Sequence, residues 1–128
     1  MDLSSAIRVK RVYEQVEADD GWRILVDHIW PRGVSKERAQ LSEWARELAP
    51  SDSLRRWFGH DPERFEEFQQ RYRQELSGRS EEVERLCGRA QDGRVTVLYA
   101  ARDEEHNNGL VVARLLNEQL GEAGGAGA

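Results

Sequence analysis

Three short segments carry the side chains best suited to acid–base or ligand chemistry. Asp27 interrupts the otherwise apolar run Trp-Arg-Ile-Leu-Val-Asp-His-Ile-Trp over residues 22–30. A carboxylate in such a run is costly to bury unless it is paired. Arg32 lies just beyond and could pair with it; Asp27 could instead shape the Trp30-Pro31-Arg32-Gly33 turn, or face a ligand. His60 sits in the joint Phe58-Gly59-His60-Asp61-Pro62. It is either a packed hinge residue or an imidazole aimed by a stiff loop, able to move a proton or donate to a ligand. Asp103, His106 and Asn107 follow a second apolar run at residues 95–101 and are expected to open the final helix. Asp103 reads as its N-cap, and His106, three residues on, shares its helical face.

These residues suggest proton transfer next to an anion-binding group. His60 or His106 would carry the proton, Asp27 would orient one of them, and Arg32 would hold an anionic group. Arg55, Tyr99, Asp103 and Asn107 complete the expected ligand-binding set. Glu104 and Glu105 add negative charge near His106, which favours a cationic group or a divalent metal there over a phosphate. Asp-x-x-His is too short a pattern to assign a metal, and no cofactor is indicated. Phosphate-binding Gly-rich loops, His-Glu-x-x-His and Gly-x-Ser-x-Gly are absent from the sequence. Cys87, on the apolar stripe of a helix, reads as a buried, unreactive core residue.

The elements that would position these groups can be read from periodicity. Residues 7–13 alternate, as in a strand with one wet face, and residues 22–30 suit a central strand buried on both faces. The middle reads as helical: Leu41, Trp44, Ala45 and Leu48; then Leu54, Trp57 and Phe58 behind a Ser51 cap; then Phe65, Phe68, Tyr72 and Leu76 behind Asp61-Pro62; then Val83, Leu86, Cys87 and Ala90 behind a Ser80 cap. Residues 95–101 form another strand, and Leu110, Val111, Leu115 and Leu116 stripe the last helix. A long helical crossover makes the two apolar strands parallel. Only about eight residues separate the first two strands, which favours an antiparallel or non-adjacent first strand. Ligands in such sheets bind outside the carboxyl ends of the strands, where Asp27 to Arg32 and Asp103 to His106 would meet.

Composition bounds the rest. The chain has 128 residues, a net charge of −5 and a single cysteine. That is one domain without a disulfide framework. No run approaches the roughly 20 apolar residues that span a bilayer, and the first residues lack a signal-peptide core. The expected location is cytoplasmic. The negative charge weighs against nucleic acid, and Arg55, Arg56, Arg64, Arg71 and Arg73 read as a solvated helix surface.

Five segments in order, Lys10-Arg11-Val12-Tyr13, residues 25–36 around Trp30-Pro31-Arg32-Gly33, Leu48-Ala49-Pro50-Ser51, residues 54–62 around Gly59-His60-Asp61-Pro62, and Leu98-Tyr99-Ala100-Ala101-Arg102-Asp103, resemble the YeaO-like family. This is a bacterial and archaeal group within the domain of unknown function 488 families. The resemblance implies a compact α/β domain with no settled activity. It also implies Arg as the usual residue at His28, a helix between the first two strands and, in distant relatives, a Cys-His-Arg run where this chain has His106-Asn107-Asn108.

The expected fold is thus one α/β domain over residues 1–120, with a mostly parallel sheet of three or so strands packed by about five helices. A flexible Gly/Ala-rich tail, residues 121–128, is expected to follow. The expected function is a polar pocket at the carboxyl edge of the sheet. It would belong to a hydrolase or transferase of a small polar metabolite, or to a non-catalytic ligand-binding or protein-interaction module.

Overall fold

The computed structural model describes residues 6–127, with side chains as far as residue 121. Four parallel strands make one sheet: β1 (Ile7–Arg11), β2 (Trp22–Leu25), β3 (Glu43–Trp44) and β4 (Val95–Tyr99), in the order β1-β4-β2-β3. β4 is central. Ile7 and Trp22 both stand opposite Val95, and Leu25 stands opposite Leu98. All five β4 residues are buried, as their β-branched and aromatic character predicts.

The described residues also form five α-helices: α1 (Lys36–Ala39), α2 (Asp52–Phe58), α3 (Phe65–Ser77), α4 (Ser80–Asp92) and α5 (Asn108–Gly127). Strand residues alternate between two faces. Ile24, Val26, Val95 and Val97 pack with Phe68, Tyr72, Leu86 and Leu116 of the longer helices. Leu25 and Leu98 face the other way, against Val12, Val34 and Ala39, so that face is covered by the segment leading into α1.

Charged side chains on that second face are buried as a set. Asp20, 1% exposed, accepts hydrogen bonds from Lys10 Nζ (3.1 Å to each oxygen), Arg23 (2.6 Å) and Arg8 (3.0 Å). Its main-chain carbonyl accepts from Thr96 Oγ1 at 2.6 Å. Arg23 also donates to the carbonyl of Ala39 at 2.9 Å. The network clamps the β1–β2 connection and the α1 segment onto the sheet, satisfying every charge it buries.

The structure corrects several expectations. The second strand ends at Leu25 instead of running to residue 30, and Ile29 is 60% exposed. After Val26 donates to the Leu98 carbonyl, the Asp27 side chain takes the next amide of the central strand, that of Ala100, and the chain leaves the sheet. The stretch expected as a helix around Trp44 is instead β3 plus a 3-10 turn at Arg46–Leu48. Ser42 and Ala45 donate to the Arg23 and Leu25 carbonyls, so satisfying the open edge of β2 outweighs helical periodicity.

The first strand is non-adjacent to β2, as its short connection favours, because β4 lies between them; it is an edge strand running parallel to β4. The helix implied between them reduces to a 3-10 turn, Ala18–Asp20. Ser80 does not cap α4: the N-cap position is Arg79, reached directly from Gly78 at the end of α3. Cys87 is half-buried, not fully buried. The last helix starts at Asn108, later than expected.

Candidate functional site

The parallel strands bring their carboxyl ends to one edge, and a cleft of about 390 Å³ opens there. Asp27 and the His28-to-Arg32 turn come from the end of β2, Ala100 and Ala101 from the end of β4, His106 to Asn108 from the entry to α5. Pro50, Arg55, Phe58, His60 and Phe68 come from α2, α3 and their joints. Phe58 and Phe68 stack with centroids 4.3 Å apart and give the cleft a rigid apolar wall.

Asp27 is tied into the edge by both oxygens. Oδ2 accepts the Ala100 amide at 2.9 Å, and Oδ1 accepts from Asn108 Nδ2 at 2.7 Å. Burial pushes its carboxyl above the ordinary value; the hydrogen bonds from Asn108 and Ala100 and the nearby His60 pull the other way without offsetting it. Arg32 is not its partner. Arg32 is exposed on the cleft, and its carbonyl accepts from the Tyr13 hydroxyl at 2.9 Å.

His60 reaches the cleft through backbone strain. Gly59 and His60 are both left-handed, with φ of 53° and 57°, which reverses the chain between α2 and the turn Pro62–Arg64. For a residue other than glycine that conformation costs on the order of 1 kcal/mol. Asp61 accepts the Glu63 amide at 3.0 Å and stiffens the far side of the joint.

His106 and Asp103 form a pair, although in a loop and not on a helix. His106 Nδ1 lies 2.9 Å from Asp103 Oδ2, while Asp103 Oδ1 accepts the Glu105 and His106 amides. Those amides, that of Glu105 first, together with the imidazole hold the Asp103 carboxyl below its usual value. The His106 ring also meets Phe65 edge-on, with centroids 5.2 Å apart. Asn107 is the cap of α5: its Oδ1 accepts the Leu110 amide at 2.9 Å.

Of the residues singled out from sequence, Asp27, Arg32, Arg55, His60, His106 and Asn107 therefore line one cleft. Asp103 stands behind His106. Tyr99 does not line it: the ring is 3% exposed and packs at Gly109, where a Cβ would come within 2.8 Å of Tyr99 Cδ1. Glu104 and Glu105, expected to bring negative charge to the site, are exposed and outside the lining. Sequence reasoning missed Asn108, which fixes Asp27, and the Phe58–Phe68 wall. Polar Asn at the head of an apolar helix was the available signal for the first.

The profile described as "Inactive DUF488-N3 subclade" matches residues 6–128. The chain belongs to this subclade. The uncharacterized protein Rv3073c of Mycobacterium tuberculosis (strain ATCC 25618 / H37Rv) is 44% identical over 119 residues, covering 91% of this chain and 98% of that protein. The uncharacterized protein YeaO of Escherichia coli (strain K12) is 40% identical over 107 residues, 84% of this chain and 93% of YeaO. The likeness to YeaO places the DUF488-N3 chain where the motifs around Trp30-Pro31-Arg32-Gly33 and Gly59-His60-Asp61-Pro62 pointed. No solved structure matches it. No helix among the described residues is long and apolar enough to cross a membrane.

Proposed function

We propose that this protein is a non-catalytic receptor for a small polar molecule, bound in the cleft at the carboxyl edge of the sheet. One observation carries the reading. The side chains lining the cleft include no Ser, Thr, Cys, Tyr or Lys, and the one carboxylate, Asp27, already accepts with both oxygens. Covalent catalysis through a hydroxyl, thiol or amine needs such a side chain next to a base, and the lining offers only imidazoles and a carboxylate whose oxygens are already engaged. Membership of a subclade described as inactive supports the same reading.

The Asp103–His106 pair favours a second reading. A carboxylate that holds one imidazole nitrogen leaves the other to act as a base, which suits a hydrolase or transferase.

A thermal-shift screen against small polar metabolites, followed by product analysis, separates the two. On the receptor reading some compound raises the melting temperature and is recovered unchanged; at 100 times its Kd the added stability is about 2.7 kcal/mol. His60→Ala removes that gain while the far-UV spectrum stays the same. Turnover of the stabilising compound, abolished by His106→Ala and reduced by Asp103→Asn, would replace the receptor with the enzyme.

A further inference from the structure

The cleft gathers guanidinium and imidazole donors in a protein of negative net charge. The whole chain carries a net charge of −5 and has three histidines. All three, His28, His60 and His106, line this one cleft, together with Arg32 and Arg55. The lining itself holds one carboxylate, Asp27, whose oxygens are occupied by the Ala100 amide and Asn108, while Asp103 and Asp52 stand outside the lining beside His106 and Arg55. Such a concentration of donors against the sign of the overall charge is the arrangement that holds an anion.

Apart from Asn107 and Asn108, the rest of the lining is apolar. Pro31, Pro50, Phe58 and Phe68 are buried, and Phe58 stacks on Phe68. Two of the imidazoles neighbour rings of the same cluster: His60 lies 6.2 Å from Phe58 and His106 lies 5.2 Å from Phe65, centroid to centroid. About 390 Å³ is near the lower end of small-molecule sites, roughly 300–1,000 Å³, and suits one ring system better than a dinucleotide.

We propose that the ligand is an aromatic oxyanion, a single planar ring bearing a carboxylate or phosphate, with the ring against the Phe58–Phe68 wall and the anion among Arg32, Arg55 and the imidazoles. This rests on the receptor reading above and adds the chemical class. Arg32 and Arg55 are exposed, so the anion enters last and keeps contact with water. Arg55 donates to Asp52 at 3.3 Å, a contact that a ligand anion would compete with.

The test is a titration of isotope-labelled full-length protein, followed through the three histidine ring signals and the Ala100 and Ala101 amides. Phenyl phosphate, benzoate, inorganic phosphate, benzyl alcohol and benzylamine are the probes. Phenyl phosphate or benzoate should move these signals saturably, and whichever binds more tightly identifies the anion. Inorganic phosphate should bind at least about tenfold more weakly for want of the ring. Arg32→Gln and Arg55→Gln, both surface substitutions, should each weaken the preferred probe about tenfold. Benzylamine or benzyl alcohol binding as tightly as the anions would overturn the proposal while leaving a receptor. Inorganic phosphate binding as tightly as phenyl phosphate would remove the aromatic half. No saturable shift with any probe would overturn the ligand class, while the receptor reading stands or falls with the metabolite screen.

Discussion

Asn108 joins the start of α5 to the end of β2. Its Nδ2 donates to the Val26 carbonyl at 3.0 Å and to Asp27 Oδ1 at 2.7 Å, across more than 80 positions of chain. One side chain thus closes the sheet edge that carries the cleft and holds the cleft's carboxylate.

Asn108→Ala should destabilise the protein by about 1–3 kcal/mol, because it leaves a carbonyl and a half-buried carboxylate without that donor. It should also raise the Asp27 pKa further, since the Asn108 bond is the largest influence now lowering it. Carboxyl-carbon NMR across pH measures the second effect. Asp27 is a group with a raised folded pKa, so ionising it removes stability as pH rises from its unfolded value through its folded one. The loss should be larger in the variant. An unchanged Asp27 titration would show that the pair does not control the carboxyl.

Asp20 has the opposite sign. Burial alone would raise its pKa, but the Glu17 amide, Lys10 and Arg23 outweigh burial and bring it down to about 2. The stabilising contribution is present above the unfolded value of about 3.9 and is lost as pH falls through about 2. Acid unfolding followed by urea titration at several pH values should show this limb. Asp20→Asn should flatten it and cost about 3–5 kcal/mol at neutral pH, because Arg23 then stays buried without its counter-ion and Lys10 keeps Glu17 alone. An Asp20→Asn protein as stable as the parent at pH 7 would rule the network out as a clamp.

Gly21→Ala tests the turn that delivers Asp20. Gly21 has a φ of 66°, and a Cβ there would lie 2.3 Å from the Arg94 carbonyl oxygen. Backbone cannot give way as a side-chain tip can. The expected cost is about 2 kcal/mol or more, read as a drop in the urea midpoint. A cost below about 0.5 kcal/mol, the usual effect of a surface change, would contradict the close approach.

His60→Gly should stabilise the fold by roughly 0.5–1 kcal/mol, since glycine takes a φ of 57° without the strain. The same variant should lose the ligand-induced rise in melting temperature. A stability gain with binding kept would make His60 a mere joint; a loss of stability would show that its ring packs structurally.

Much of this site is legible before folding is considered. Asp27 after an apolar run, a histidine between Gly and Pro, and Asp103-x-x-His106 after a second apolar run place polar groups where parallel strands end, and parallel strands follow from the long crossover. Local chemistry also specifies Ser51 as the cap of α2 and Phe65, Phe68, Tyr72 and Leu76 as one buried stripe. What periodicity could not weigh was competition for backbone hydrogen bonds.

The sequence by itself therefore determined the parallel α/β architecture, the buried stripes and the edge where the cleft lies, because burial and chain connectivity are properties of residue order. Tertiary structure decided the partners. Asp27 goes to Ala100 and Asn108 and not to Arg32; Trp44 joins the open edge of β2 and not a helix; Asp103 turns a loop while Asn107 caps α5. Tyr99 faces Gly109 and not the cleft. Each outcome depends on which unsatisfied donor or acceptor comes within about 3 Å once the sheet has formed, and segments distant in sequence supply most of those atoms.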